Sequence, residues 1–348
     1  MTEVKWERYP TVAQSASGRT WLTIQAKRGL AANTIDAYGR ALEEYHRFSH
    51  RRGVAVEYAA REHIANYVHD MVTRPGHKGA SGTSLDARAG LANATLPQRL
   101  TALRLFYDYL MEEEVRSDNP VGRGRYTPGK HFGGARARGL IPRYVKLPWI
   151  PNDEEWQRFL AEARQEPQRN RVMLALAYDS ALRREELCRL ETGDIDPSAH
   201  VVRVRAEVTK GRRERIVPFS LPTAELYARY LRERGTISRA RGPLFLSLSR
   251  RNYAQPLSIW TWSKVVRGLA VRAELPRFCT HTPRHLCLTD LARAGWDLHE
   301  IAAFAGHRNV QTTLLYIHLS GRELATKVQR GMDQVHAWRA QTLAAALR

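Results

Sequence analysis

A chain of 348 residues is long enough for two domains, each able to bury its own core. Its 55 Lys+Arg against 35 Asp+Glu leave a formal charge of +20; that excess points to a polyanionic partner, although general solubility or a basic proteome gives the same figure. Cys188, Cys279 and Cys287 are odd in number and have no Cys-x-x-Cys spacing, which argues against a disulfide framework or a zinc site and fits a reducing cytoplasm. The opening MTEVKWERYP lacks the apolar core of a signal peptide, and the apolar run 172–178 is far too short to span a membrane.

Residues 11–120 read as a helical domain. Trp21, Leu22 and Ile24 begin one helix, and Ile35, Tyr38, Leu42, Tyr45 and Phe48 recur at helical spacing to predict a longer one ended by Gly53. Ile64, Tyr67, Val68 and Met71 give a third apolar face, after which 74–90, rich in Gly, Ser and Lys, reads as a loop. Leu100, Leu103, Phe106, Tyr107 and Leu110 make a fourth, closed by Asp118-Asn119-Pro120. Aromatic residues at this spacing are what core packing requires, so no base contact is read from them.

Residues 121–147 carry Arg123, Arg125, Lys130, Arg136, Arg138, Arg143 and Lys146 and no acid. Interspersed glycines and prolines argue against regular structure, leaving a basic interdomain linker that either touches DNA phosphates or is simply solvated.

The second domain is expected over 148–348, with Asp153, Trp156, Phe159 and Leu160 marking its opening helix. After the apolar run 172–178, Ser180 is a candidate cap for a helix reading ALRREELCRL, which places Arg183 in its first turn and Glu186 further along. Val201, Val202 and Val204 predict a strand and 213–219 a returning one, with Lys210 and Gly211 at the turn between them. Helices follow near 222–233 and 258–273.

The stretch 277–318 gathers His281, Arg284, His307 and Tyr316. Thr282 is the expected cap of a helix with Pro283 at its first position and Gly295 at its end. Arg284 and His285 then lie in a first turn whose free N–H groups and dipole favour an anion, and a guanidinium there suits a phosphate gripped by two oxygens. Asp297 and Glu300 have capping-box spacing for a second helix with Leu298, Ile301, Ala302 and Ala305 on its apolar face. His307 and Tyr316, nine residues apart, would point in opposite directions on one unbroken helix turning by about 100° per residue. A stop at Gly306 lets them converge, with His307 in the turn and Tyr316 on a short helix over 311–317. Farther on, 323–347 places Leu324, Val328, Val335, Trp338 and Leu343 near one face, as a core helix would.

Taken in order, Ala-Leu-Arg183-x-x-Glu186, the hairpin Lys210, His281-x-x-Arg284-His285, Ala-Gly-His307 and Tyr316 resemble the catalytic signature of the tyrosine recombinases, the phage-integrase family. Any one of these residues has an ordinary explanation; their conjunction at family spacing does not. Ala181 stands where glycine is usual, Pro283 and Ala305 where leucine is usual, and none of the three removes a catalytic group. The resemblance implies a mainly α fold with a small antiparallel β-sheet: an N-terminal helical core-binding domain, then a catalytic domain. It also implies a site-specific DNA recombinase that cleaves and rejoins strands through a 3′-phosphotyrosine link, with no cofactor, metal or ATP. Its partner would be double-stranded DNA, bound by a homotetramer on two sites, in the cytoplasm with the nucleoid. The segment 323–347 then has a second reading, a tail docking on a neighbouring protomer, and Arg123, Arg125, Lys130, Arg136 and Arg138 become candidate DNA contacts.

Such chemistry needs cations to neutralise the phosphate in the transition state, a nucleophile and an acid for the departing 5′-oxygen. Arg183 and Arg284 have the forked, permanently charged groups for the first task. The resemblance assigns Tyr316 as nucleophile, Lys210 as general acid, His281 as proton acceptor or relay and His307 as a donor to phosphate. Glu186, or the acid beside it, would orient Arg183, with His285 supporting the site from behind. A relaxing topoisomerase of similar chemistry, or a non-catalytic DNA-binding descendant, are the competing classes.

Overall fold

The computed structural model describes residues 3–74, 95–122, 147–209, 211–319, 328–331 and 337–346. The backbone divides into two units, Met1–Val145 and Lys146–Arg348.

The first unit consists of α1 (Pro10–Gln14), α2 (Ala16–Lys27), α3 (Ala32–Arg51), α4 (Arg61–Thr73) and α5 (Thr95–Glu112). The aromatic and aliphatic faces read from the sequence meet in one core, where Trp21, Leu42, Tyr45, Tyr67, Phe106 and Tyr107 are all buried. Buried tyrosine hydroxyls usually find a partner. The Tyr45 and Tyr107 hydroxyls lie 2.6 Å apart, and Tyr107 donates to the Val56 carbonyl at 2.9 Å. Helix α1 had no sequence signal, because five residues are too few to show a period. Its first amides, Thr11 and Val12, donate instead to the buried Glu43 carboxylate of α3 at 2.9 and 3.0 Å. The loop expected over 74–90 lies outside the described residues apart from Arg74, as do the linker residues Arg123, Arg125, Lys130, Arg136, Arg138, Arg143 and Lys146.

The second unit opens with α6 (Asp153–Ala163), held by a capping box between Asn152 and Glu155, and continues through α7 (Gln168–Asp179) and α8 (Arg184–Cys188). A three-stranded antiparallel sheet follows, β1 (Ile195–Asp196), β2 (Val201–Val204) and β3 (Arg215–Pro218), in which Val202 faces Val217. Next come α9 (Leu221–Ile237), α10 (Ile259–Arg272), α11 (Thr282–Arg293), α12 (Leu298–Ala305) and α13 (Leu314–Leu319). Their core is aromatic at its centre, with Phe159 stacked on Phe278 at 3.8 Å between ring centres. The fold is thus mainly helical with one small sheet, and the hairpin is where alternation placed it.

Two capping expectations are corrected. Ser180 ends α7 and caps nothing downstream: its hydroxyl donates to the Pro218 carbonyl at 2.9 Å, tying α7 to β3, and the next helix begins only at Arg184. The intervening Ala181 has φ 44°, a left-handed turn that no helix passes through. Thr282 is itself the first residue of α11 and not its cap, because its hydroxyl is already taken, accepting the Cys279 amide at 2.9 Å. By contrast Asp297 and Glu300 form the expected capping box, and Gly306 stops α12 at φ 62°.

A final helix spans Ala337–Ala346, and its described side chains are exposed. Val328 and Leu343 are 56% and 55% exposed, so neither belongs to the core of this unit; Leu324 and Val335 lie outside the described residues, as does the Trp338 side chain. No helix among the described residues is long and apolar enough to cross a membrane.

Candidate active site

Strand β3, the α7–α8 turn, α11 and the α12–α13 turn each deliver one part of a cationic cluster. Arg183, at the N-terminus of α8, donates from Nη1 to Glu186 at 2.8 Å and from Nη2 to the Gly306 carbonyl at 3.2 Å. Glu186 also accepts the Arg183 amide at 2.9 Å, so the same acid caps the helix and orients the guanidinium. From the other side Arg215 donates to both Glu186 oxygens, at 2.7 and 3.1 Å, and from Nε to the Phe304 carbonyl at 3.2 Å. Burial alone would raise the Glu186 pKa, but the hydrogen bonds and charge of Arg215, then those of Arg183, hold it down at about 2. The acid is therefore ionised throughout the neutral range.

Arg284, in the first turn of α11, is 3% exposed. Its guanidinium donates to the Ala181 carbonyl, to the Ala305 carbonyl at 2.7 Å and to His307 Nε2 at 3.0 Å. Burial first, then the charge of Arg183, push its pKa down to about 10, which still leaves it cationic at neutral pH. Because a guanidinium only donates, His307 Nε2 must accept, which puts the ring proton on Nδ1, 2.9 Å from the Thr313 hydroxyl. Burial and the charges of Arg284, Arg183 and Arg215 push the His307 pKa down to about 3, so the ring is neutral.

Tyr316 stands on α13 beside these groups. Its ring is stacked on His307, 6.0 Å between centres and 8° between planes, and its hydroxyl lies 3.0 Å from His285 Nδ1. The phenol is 3% exposed and packs with Ala181, Cys287, Leu288, Ile301 and Ala305. Burial raises its pKa, while the charges of Arg284 and Arg183 act in the opposite direction. His285 is neutral as well, since burial and the neighbouring His281 and Arg284 push its pKa down to about 4. His281 lies at the exposed start of α11 with its ring centre 6.3 Å from that of His285; surrounding protein, then the charges of Arg184, Arg284 and Arg183, lower its pKa.

Arg183, Glu186, Arg284, His285, His307 and Tyr316 are therefore brought together, although they come from four separate segments. His285, expected behind the site, touches the phenol directly, while His281 is one residue layer further out. Lys210 lies outside the described residues; its neighbours Thr209, Gly211 and Arg213 line a cleft with Arg215, His307 and Arg308. Sequence reading passed over Arg215 and Thr313. Arg215 carried a usable signal: it stands two residues before buried Val217, so strand alternation turns it inward.

Ala181 is fully buried at φ 44° and supplies a carbonyl to Arg284. A left-handed non-glycine residue costs about 1–2 kcal/mol. The buried methyl returns about 0.8 kcal/mol, and the stiffer unfolded chain about 0.4–1 kcal/mol relative to glycine. These contributions nearly cancel, which explains how alanine stands here. Ala181→Gly is accordingly expected to leave denaturant stability within about 1 kcal/mol, whereas Ala181→Val, branched and overpacked, is expected to lose about 3 kcal/mol or more. Equal stability of the glycine and valine variants would contradict this account.

A family model for the phage integrase family matches residues 151–323, and the family's N-terminal SAM-like domain matches 21–114. The chain belongs to the phage integrase family. Among its relatives is tyrosine recombinase XerC of Herpetosiphon aurantiacus, 26% identical over 301 residues that cover 86% of this chain and 88% of that one. Tyrosine recombinase XerD of Bradyrhizobium diazoefficiens is 27% identical over 326 residues, covering 88% and 92%. The fold is shared with the XerH site-specific recombinase bound to palindromic difH substrate in a post-cleavage complex, at TM-score 0.66 and 20% identity over 93% of this chain and 87% of that one. It is shared too with the Tn1549 transposon integrase in complex with transposon right end DNA, at TM-score 0.61 and 16% identity, covering 88% and 98%. As a phage-integrase family member the chain is a site-specific tyrosine recombinase.

Proposed function

We propose that this recombinase cuts and rejoins double-stranded DNA by transferring a phosphodiester to Tyr316. The observation that carries the reading is the meeting of a phenol, two neutral imidazoles and a buried guanidinium at one point: Tyr316 against His285 and His307, with His307 bonded to Arg284. Arg183 and Arg284 hold the non-bridging oxygens and neutralise the charge that builds on them. The Tyr316 oxygen bonds to phosphorus, the bond to the 5′-oxygen breaks, and the phenol proton passes to His285 Nδ1 and on through His281 to solvent. Lys210, which the sequence places between β2 and β3, protonates the departing 5′-oxygen. His307 can donate to the phosphate only after its proton moves from Nδ1 to Nε2, which requires Arg284 to turn its Nη2 toward the phosphate. The phosphotyrosine bond conserves the energy of the broken one, so a 5′-hydroxyl from another strand can reverse the step without ATP.

Residues 11–120 serve in this reading as the core-binding domain, with Arg123, Arg125, Lys130, Arg136 and Arg138 adding phosphate contacts between the domains. Four protomers join two DNA sites in the nucleoid. The exposed helix Ala337–Ala346 suits a tail that docks in trans.

The test uses a library of duplexes with randomised sites, each nicked next to the cleavage position so that the short 5′-hydroxyl fragment diffuses away. A protein–DNA adduct that survives detergent should accumulate in EDTA, and sequencing the trapped DNA gives the site. Adduct formation that requires added Mg²⁺ would place the reaction in another class.

A further inference from the structure

We propose that Arg215 is a positioning residue for Arg183: by neutralising Glu186 from behind, it leaves Arg183 with a positive charge available to phosphate. The proposal rests on the reading of Arg183 as a phosphate-holding group. Glu186 is 1% exposed and carries the only carboxylate in direct contact with either guanidinium among the described residues. One negative charge between two positive ones leaves a net charge of +1, and geometry decides where it lies. Arg215 commits both Nη atoms to the carboxylate and Nε to the Phe304 carbonyl, with 8% of its side chain exposed. Arg183 gives the acid its backbone amide but only a single guanidinium nitrogen, and its side chain is 25% exposed. The uncompensated charge therefore sits on Arg183, at the more accessible end of the chain of three.

Arg215 also fixes the turn that bears His307. A Cβ added to Gly306 would stand 3.0–3.3 Å from Arg215 side-chain atoms, so the absence of a side chain at 306 is what lets the guanidinium pass beneath the turn. Were Arg215 removed, Glu186 would face Arg183 alone. The pair would be neutral, and both prongs of Arg183 would be drawn toward the acid and away from a ligand.

Arg215→Met is expected to reduce adduct formation on the nicked duplex at least 100-fold while DNA affinity stays within threefold. Adding Glu186→Gln to Arg215→Met removes the acid that would neutralise Arg183 and is expected to recover at least tenfold; a purely structural role for Arg215 predicts a double variant no better than the single one. If Arg215→Met does not fold, the double variant, which leaves no carboxylate in need of Arg215, carries the comparison. In that case a folded double variant more than 100-fold below wild type would overturn the proposal; where Arg215→Met folds, an activity within threefold of wild type would overturn it. Inorganic phosphate supplies a readout that needs no cleavage. It should raise the unfolding temperature of wild type and of the double variant but not of Arg215→Met or Arg183→Ala. A wild type that responds to phosphate yet forms no adduct refutes the DNA-cleavage reading and leaves this proposal standing, whereas equal phosphate responses in all four proteins refute the proposal alone.

Discussion

Replacing Tyr316 by phenylalanine is expected to remove the covalent adduct altogether, a loss on the order of 10⁴-fold or more, while the protein stays folded and on DNA. Phenylalanine keeps the ring that stacks on His307 and fills the cluster with Ala181, Cys287 and Ile301. What disappears is one hydroxyl and its bond to His285 Nδ1, worth about 1 kcal/mol of stability. Affinity should barely change, because the phenol is 3% exposed and grip on a duplex is spread over many phosphates. Three measurements on one preparation separate these effects: adduct yield on denaturing gels, a DNA dissociation constant at fixed salt, and an unfolding temperature. Residual adduct in the phenylalanine variant would mean that another of the 14 tyrosines attacks, and the assembly around Tyr316 would then need a different explanation.

Burial at Tyr316, the proposed nucleophile, also bears on how the site would work. A phenol whose pKa is raised by burial is a poor nucleophile until its environment changes. In the proposed reaction a phosphate held by Arg183 and Arg284 brings a negative charge beside His285, whose pKa is lowered partly by Arg284, and His307, whose pKa is lowered partly by both arginines. The anion would offset that repulsion, and His285 would become a better proton acceptor only with substrate in place.

How much of this was legible beforehand varies with the physics of each feature. The long helices α3 and α5 showed themselves because aromatic residues at 3.6-residue spacing have one plausible use. The hairpin showed itself by alternation, and the α12 stop by a glycine that the chain needed at positive φ. Reading failed where a side chain had two possible employers. Ser180 and Thr282 both look like helix caps, yet the first bonds to β3 and the second to Cys279, choices set by tertiary neighbours that no local window contains. His281 and His285 posed the same difficulty. Four residues apart on α11, they sit on one face, and only the position of α13 decides which of them meets Tyr316. The weld of Arg183 to Arg215 through Glu186 depends on a contact between Glu186 and Arg215, 29 positions apart, and has no sequence period at all.

Arg284→Ala is expected to be the more damaging of the two arginine losses in stability, and as damaging as the other in activity. Adduct formation should fall by about 10³–10⁵-fold, the range for removing a guanidinium that stabilises a phosphoryl transition state. The folded protein should also weaken by about 2 kcal/mol or more, because the Ala181 and Ala305 carbonyls lose their donor inside the protein. Arg183→Ala differs in a way the geometry makes explicit: Glu186 keeps both bonds to Arg215, and the Gly306 carbonyl loses only a 3.2 Å contact. Its activity loss should be comparable and its stability loss smaller. Arg284→Lys sharpens the point. An ammonium at that depth has no fork to span two carbonyls and His307, and burial would lower its pKa further than it lowers that of arginine. The lysine variant should therefore recover little activity. Urea unfolding and single-turnover cleavage of the four proteins, wild type included, test the ordering; an Arg284→Ala protein as stable as Arg183→Ala would show that the two carbonyl bonds contribute nothing, and with them the tie from α11 to the α7–α8 turn.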